Sequence, residues 1–575
     1  MANTKIPNEL LELSVKTFGT SSLMIGDTTT GTIDAANYNT GLGVDVFAAL
    51  TSGDQNTAIG WTALTANTTG HSNVACGDQT LAANTTGTQN VAIGSAALYV
   101  NSTASNNTAV GYGTLLANTT GAGNTAVGMR ALKANTTASS NVSIGKDSLY
   151  ANTTGATNVA VGVSALQNNT TATGNTAVGH TAGFQNTTGT GNSILGFQAA
   201  YSLTTGSNNT VMGYNALGNS NVSSNTAIGY SALLNSSGNN NTAVGADCLD
   251  ANTSGTANTA VGADALTTNT TAGDNVAVGA SALSANTTGS QNTGIGRYAL
   301  QDNTTGSFNT AVGYEALSEC TTGSENVAVG GYACDLNTTG NHNVAIGFHA
   351  HKNGSGAYEN VAIGNEAASN ITTGYHNVIV GHRAGKESTL LTTGYDNTLL
   401  GAFCRVSSSG VVGELVLGRY ALGQGAGTGT LGLSGNGVHI ALNNSTVNWS
   451  KHSDERLKEN IVNSTAGLSF INDLRPVTYT WKSKKDISSE FENHYDADSN
   501  EPVQGMEDTT YHGFLAQEVK EVIENHSEIK NGHAIWRESP DGIQNLAEGS
   551  LMPMMVKAIQ ELSAEVETLK SQLGE

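Results

Sequence analysis

The pentad N-T-A-V-G, or a close variant, begins at Asn56, Asn73, Asn90, Asn107, Asn124, Asn141 and Asn158, each 17 residues after the last. The register extends from Ser22 to Glu414 through 24 starts, with two steps of 16 (Asn209 to Asn225 to Asn241) and one of 20 (Asn377 to Asn397). One such unit is too short to close a core. Stacked copies bury a continuous one, so the period implies a solenoid.

The consensus, N-(T/V)-A-(V/I)-G-x-x-A-L-x-x-N-T-T-G-x-x, assigns roles within the coil. Positions two and four are apolar or β-branched and share one face of a short strand. The Ala between them lies on the other face and is small enough for a second layer to approach closely. Gly at position five permits a bend or positive φ, Ala-Leu supplies a second buried segment, and N-T-T-G reads as a turn with an αL-tolerant Gly. Each strand pairs with its copies above and below, and the Asn side chains can form ladders along the stack. At about 4.8 Å per coil the repeats predict a rod of roughly 115 Å.

Composition agrees with a rod. The 575 residues include 70 Gly and 5 Pro, with 12% charged and 5% aromatic, so a large core of Leu and Phe is not available. The formal charge of −22 argues against nucleic-acid binding, which needs clustered Lys and Arg. The opening MANTKIPNELLELSVKTFG lacks a basic region followed by an apolar stretch, and no run of 18 apolar residues occurs; neither Sec export nor membrane insertion is expected. Cys76, Cys248, Cys320, Cys334 and Cys404 are scattered, without C-x-x-C, and read as free thiols. No P-loop, HExxH or calcium-binding repeat is present, and no cofactor or metal is expected.

The V-A-I-G and T-A-V-G coils resemble the head repeats of trimeric autotransporter adhesins. That resemblance, over 22 to 417, implies a parallel β-roll assembled as a trimer. Two features of the rod invite a chemical reading. Asp247 and Asp264 share position seven on adjacent coils, which would set their carboxylates about 5 Å apart, as in retaining glycosidases. Solvated surface acids are the simpler account. Aromatics recur at positions six and seven, including Trp61, Tyr112, Tyr214, Tyr230, Tyr298, Tyr314 and Tyr332; packing between coils or chains is expected ahead of sugar stacking.

From Gly418 the period dissolves, and at KHSDERLKENI (451–461) the chain becomes densely charged. Ser453 suits a helix N-cap, with Asp454 and Glu455 in the first turn. The blocks SDERLKENI, GLSFINDLRPVTYTWK, YHGFLAQEVKEVI and LMPMMVKAIQELSAEVETLKSQL follow in an order and spacing that resemble the endosialidase-type intramolecular chaperone, an autocleaving peptidase domain of phage tail fibres and tailspikes. The resemblance implies a domain that trimerises the fibre, helps it fold and is then cut away. It maps the family's Ser-Lys pair onto Ser453 and Lys458, and the cut onto the bond between Ser453 and Asp454. A lysine desolvated to a lower pKa can take the proton of a serine hydroxyl. His452 and His512 are candidate helpers.

In the last block, Met552, Met555, Ile559, Leu562, Val566, Leu569 and Leu573 step by three and four, a heptad seam that three helices can bury together. The expected organisation is therefore a mainly β chain: an attachment segment at 1–21, a 17-residue-repeat β-solenoid at 22–417, a β-rich linker at 418–452, and an α+β chaperone domain at 453–575 with a coiled coil at 552–573. The expected function is a homotrimeric tail fibre or spike of the virion, assembled in the host cytoplasm and joined to the phage tail or baseplate through its N-terminus. It would attach to a host-surface glycan or protein and carry one self-inflicted serine-peptidase cut. The alternatives are a polysaccharide-depolymerising tailspike and a bacterial surface adhesin.

Overall fold

The computed structural model describes residues 15–25, 35–386, 388–433, 436–442, 449–451, 461–488, 496–503, 509–530, 535–539 and 543–574. The chain divides into two units, Met1–His452 and Ser453–Glu575. The first is mainly β and is built as a solenoid.

Strand β1 (Val15–Phe18) runs antiparallel to β2 (Ser22–Ile25) and starts the stack. From β2 to β25 (Leu415–Leu417) each coil contributes one strand, paired in parallel with the next at equal consensus positions: Thr57 with Val74, Ala58 with Ala75, Ile59 with Cys76. The odd-length coils keep that register. Thr210 pairs with Thr226 and Thr226 with Thr242 across the 16-residue steps, and Val378 with Thr398 across the 20-residue step. Length differences are therefore absorbed in the turns. Strand β26 (Thr428–Leu433) extends the parallel ladder once more, β27 (Asn436–Ala441) pairs antiparallel with it, and β28 (Trp449–Lys451) pairs antiparallel with β27.

The core is narrow. The central residue of each strand, most often Ala, points inward, as Ala58 does beside Ala63 and Leu64 of its coil, all fully buried. The apolar residues at position four point outward, so Ile59, Ile93, Ile144, Leu195, Met212, Ile295 and Ile346 form an exposed apolar stripe on the sheet's outer face. The Gly at position five has φ from 118° to 146° along the stack. At Gly262 an added Cβ would meet the carbonyl oxygen of Gly279 at 2.5 Å, so both backbone and space demand glycine there.

The glycine of N-T-T-G does not behave as expected. Gly70 and Gly87 lack positive φ, and Ala104, Ala138 and Ala172 occupy the same position with ordinary backbone. The position is buried beneath the next coil's backbone, and it takes Gly or a small apolar residue such as Ala104, Ala138 or Ala172. The left-handed residues are elsewhere, at positions seven, nine and seventeen, as with Thr62 (φ 53°), Leu64 (φ 51°) and Ser72 (φ 57°). A buried Leu in that conformation costs about 1–2 kcal/mol locally. It persists because the coils above and below fix the same turn.

Two buried asparagine ladders satisfy the polar interior. At position one, Asn56 donates N–H and Nδ2 to Asn39 Oδ1 (2.9 and 3.0 Å) and Nδ2 to Gly70 O (3.0 Å); the pattern continues to Asn397, whose Oδ1 accepts from Glu414 N. At position twelve, Asn84 Nδ2 bonds Asn67 Oδ1 at 2.8 Å, and the row runs on through Asn186. It lapses at Leu203, Ser220 and Ser236, resumes at Asn252, and is broken again by Cys320, Gly354, Ile371 and Leu391. The five cysteines are free thiols, four of them buried.

His351 takes the place of the Leu at position nine. It is fully buried, and neither ring nitrogen has a hydrogen-bond partner on another residue. Gly354 makes the room, since a Cβ there would lie 2.1 Å from His351 Cε1. Burial pulls the imidazole down to about 4, so the ring is neutral at neutral pH.

Candidate functional site

In the second unit the apolar residues of the recognised blocks make one core. Phe470 of α1 (Leu468–Asp473), Val519 and Ile523 of α2 (Ala516–Asn525), and Ala466, Ile529, Ile535 and Leu551 are buried together. Two antiparallel pairs complete the fold: β29 (Val477–Tyr479) with β30 (Tyr511–Gly513), and β31 (Trp536–Glu538) with β32 (Gln544–Leu546). The helix α3 (Met552–Leu573) closes the unit, with Pro553 in its first turn, where a proline has no helical hydrogen bond to lose, and Gly574 in the left-handed conformation as C-cap.

Specific polar contacts tie these elements together. Glu561 of α3 accepts the N–H of Leu468 at 2.7 Å and pairs with Lys557 at 3.2 Å, so the start of α1 is fixed by a carboxylate 93 residues away. That N–H, with Lys557 second, holds the Glu561 carboxyl below the usual range. Gly467 gives the carboxylate access; a Cβ there would stand 2.3 Å from Glu561 Oε2. At the other end of α1, His526 Nε2 lies 2.9 Å from Asp473 Oδ2 and its Nδ1 lies 2.8 Å from Glu528 Oε1, with the ring edge-on to Phe470. Two carboxylate acceptors on both ring nitrogens call for the imidazolium, and these bonds push His526 up. Arg475 makes a forked pair with Glu518 on the surface.

The seam of α3 is exposed along its whole length. Met552, Met555, Ile559, Leu562, Val566, Leu569 and Leu573 all face solvent, while Ala558 packs inward. An open cleft of about 550 Å³ is lined by Tyr479, Trp481, Val503, Phe514, Gln544 and Leu546. A second, of about 430 Å³, includes His512, which is exposed on β30 opposite Thr478. The sequence-assigned residues Ser453, Asp454 and Lys458, and the candidate helper His452, lie outside the described residues. In the rod, Asp247 is partly buried and Asp264 exposed; burial first, then Asp250 and Asp264, raises the Asp247 carboxyl.

The second unit begins at Ser453, and a family boundary falls at the same residue. Residues 453–528 match the family of the chaperone of endosialidase, peptidase S74. The C-terminal unit thus carries an endosialidase-type chaperone domain, whose matched part spans α1, the β29 and β30 pair and α2. The α3 seam lies beyond the match. No curated protein and no solved structure matches the chain.

Spacing alone gave no sign of the clamps at His526 and Glu561. Asp473 and His526 are 53 residues apart, and no local motif links them.

Proposed function

We propose that this chain is a fibre or spike protein of a phage tail, a homotrimer that reaches the host surface and is matured by one self-cleavage. The observation that carries the reading is the chaperone-family match starting at Ser453, where the solenoid-bearing unit ends. Two unpartnered apolar lines support the trimer. The outward stripe at position four repeats once per coil, and the α3 seam repeats every three and four residues. A parallel copy of the same chain matches both periods. The segment 1–21 then joins the fibre to the particle.

In this reading Ser453 supplies the nucleophilic hydroxyl, Lys458 takes its proton and passes it to the leaving α-amino group of Asp454, and water completes hydrolysis of the Ser453–Asp454 bond. Removal of the chaperone after assembly locks the rods kinetically. Intact-mass analysis of the purified wild type beside Ser453→Ala tests this. The expected products are 1–453 and 454–575 for the wild type and one uncut chain for the variant. An uncut wild type refutes the maturation step.

A further inference from the structure

Positions two and four lie on the same side of each strand, opposite the buried central residue, so the solenoid presents one sheet face two residues wide. Its rows run from Leu23 and Ile25 in β2 to Leu415 and Leu417 in β25. Through those 24 strands the two rows contain Thr, Ser, Val, Ile, Leu, Met and Cys76, and no charged, amide or aromatic residue. The surface past the glycine bend is unlike it: position seven carries Arg130, Asp147, Asp247, Glu315 and Arg383. Charge is accepted there and kept off the strand face.

Parallel sheets are ordinarily covered on both faces. Here the inner face packs on the Ala and Leu of its own coil, and the outer face is bare, with Leu195 44% exposed and Met212 46%. Two rows about 7 Å apart along a rod of roughly 115 Å, widened by their own side chains, cover on the order of 1,000 Å². A solvated apolar patch is usually a few hundred Å², and a stable interface takes about 800 Å² from each partner. The face has the size of an interface.

We infer that a second copy of this chain covers the two-row face, strand face to strand face, and that this contact holds the rods together once the chaperone domain has been cut away. The inference rests on the trimer reading above and adds which surface closes the trimer and what retains it. An occupant has to follow rows that repeat at every coil, about 4.8 Å, for the whole length of the rod. A parallel copy has that step by construction. The face offers no charge or amide to pair with an unrelated protein, and none of the Trp, Tyr, Lys or Arg with which a surface settles among lipid headgroups. The N-T-T-G turns, where Thr69, Thr120, Thr188 and Thr305 are exposed, then stay in solvent.

The chain carries its own reporter. Cys76 stands in the position-four row between Ile59 and Ile93 and is half-buried in a single chain, whereas the other four cysteines are buried. Alkylation of the native protein therefore reads Cys76 and, through it, this face.

The test compares the purified, self-cleaved wild type with Ile144→Asp/Leu195→Asp/Ile295→Asp in the position-four row and Thr120→Asp/Thr188→Asp/Thr305→Asp in the turn row. All six side chains are exposed in a single chain, so neither set enters the core. Native mass spectrometry should find three copies of the rod for the wild type and the turn-row variant, and single rods for the position-four variant. Iodoacetamide should modify Cys76 at least about tenfold more slowly in the wild-type assembly than in the separated rods, while Thr69→Cys in the assembly reacts as an open thiol. A position-four variant that keeps three copies, or a Cys76 that reacts in the assembly as fast as Thr69→Cys, overturns the face and leaves the trimer standing. A wild type found as a single rod overturns both. Where the position-four variant fails to fold by circular dichroism, or the wild type stays uncut, the rate at Cys76 beside that at Thr69→Cys decides alone.

Discussion

In the solenoid, the ladder asparagines bond to their own counterparts one coil away: Asn56 to Asn39, Asn73 to Asn56. In the C-terminal unit polar groups bond to unlike partners far along the chain: His526 to Asp473, Leu468 to Glu561. The first arrangement looks the same after a shift of one coil. The second has one solution. A periodic rod is therefore cheap to lengthen but carries little information about how parallel copies should align, since slipping by a repeat preserves nearly every contact. In the proposed trimer, an aperiodic unit with an exposed heptad seam would supply what the rod lacks, so the C-terminal unit is the part expected to set the register.

The strongest way to break the comparison is at the seam. Ile559→Asp with Leu562→Asp, both on the exposed face of α3, should leave the fold of the C-terminal unit intact but abolish assembly. Light scattering should then report monomer or aggregate in place of a threefold mass. A trimer that persists would move the aligning role elsewhere.

Within the rod, Gly262→Ala sets a side chain against the next coil's carbonyl and places an L residue at φ 138°. A loss of at least about 3 kcal/mol in unfolding free energy is expected. Denaturant titration would measure it, and a loss under 1 kcal/mol would mean the coils slide apart more easily than their contacts suggest.

The two units should also respond to acid in opposite directions. His351 has its folded pKa lowered to about 4, so its contribution is complete above about 6.5 and is lost as pH falls from there toward 4, by up to about 3 kcal/mol. His526 is raised, so its contribution is complete below about 6.5 and is lost as pH climbs through the folded value. Hydrogen exchange across pH on Ser453→Ala, which should keep both units in one chain, can read each separately. His351→Leu should flatten the acid limb of the rod alone. Parallel slopes in the two units would contradict both assignments.

Much of this was legible in the sequence, because a repeated unit states its rule many times. The strand, the bend at position five, the buried Ala-Leu pair, the asparagine ladders and the exposed α3 seam all follow from period and residue type. The inner face of the strand was harder to read, since Ala58 and Ile59 are both apolar and only the width of the coil decides between them. Local propensity pointed the wrong way for the left-handed residues. It favours the glycine of N-T-T-G, whereas the stack imposes that conformation on Leu64, whose burial outweighs its strain. The clamps at His526 and Glu561 needed the three-dimensional fold. Ser453 and Lys458 remain assignments from the family pattern.

The central claim is that an aperiodic, removable domain aligns three copies of a repetitive rod. Native mass spectrometry of the purified wild type tests it most directly. The account predicts an assembly containing three copies of residues 1–453; a well-folded single chain of 575 residues would contradict it.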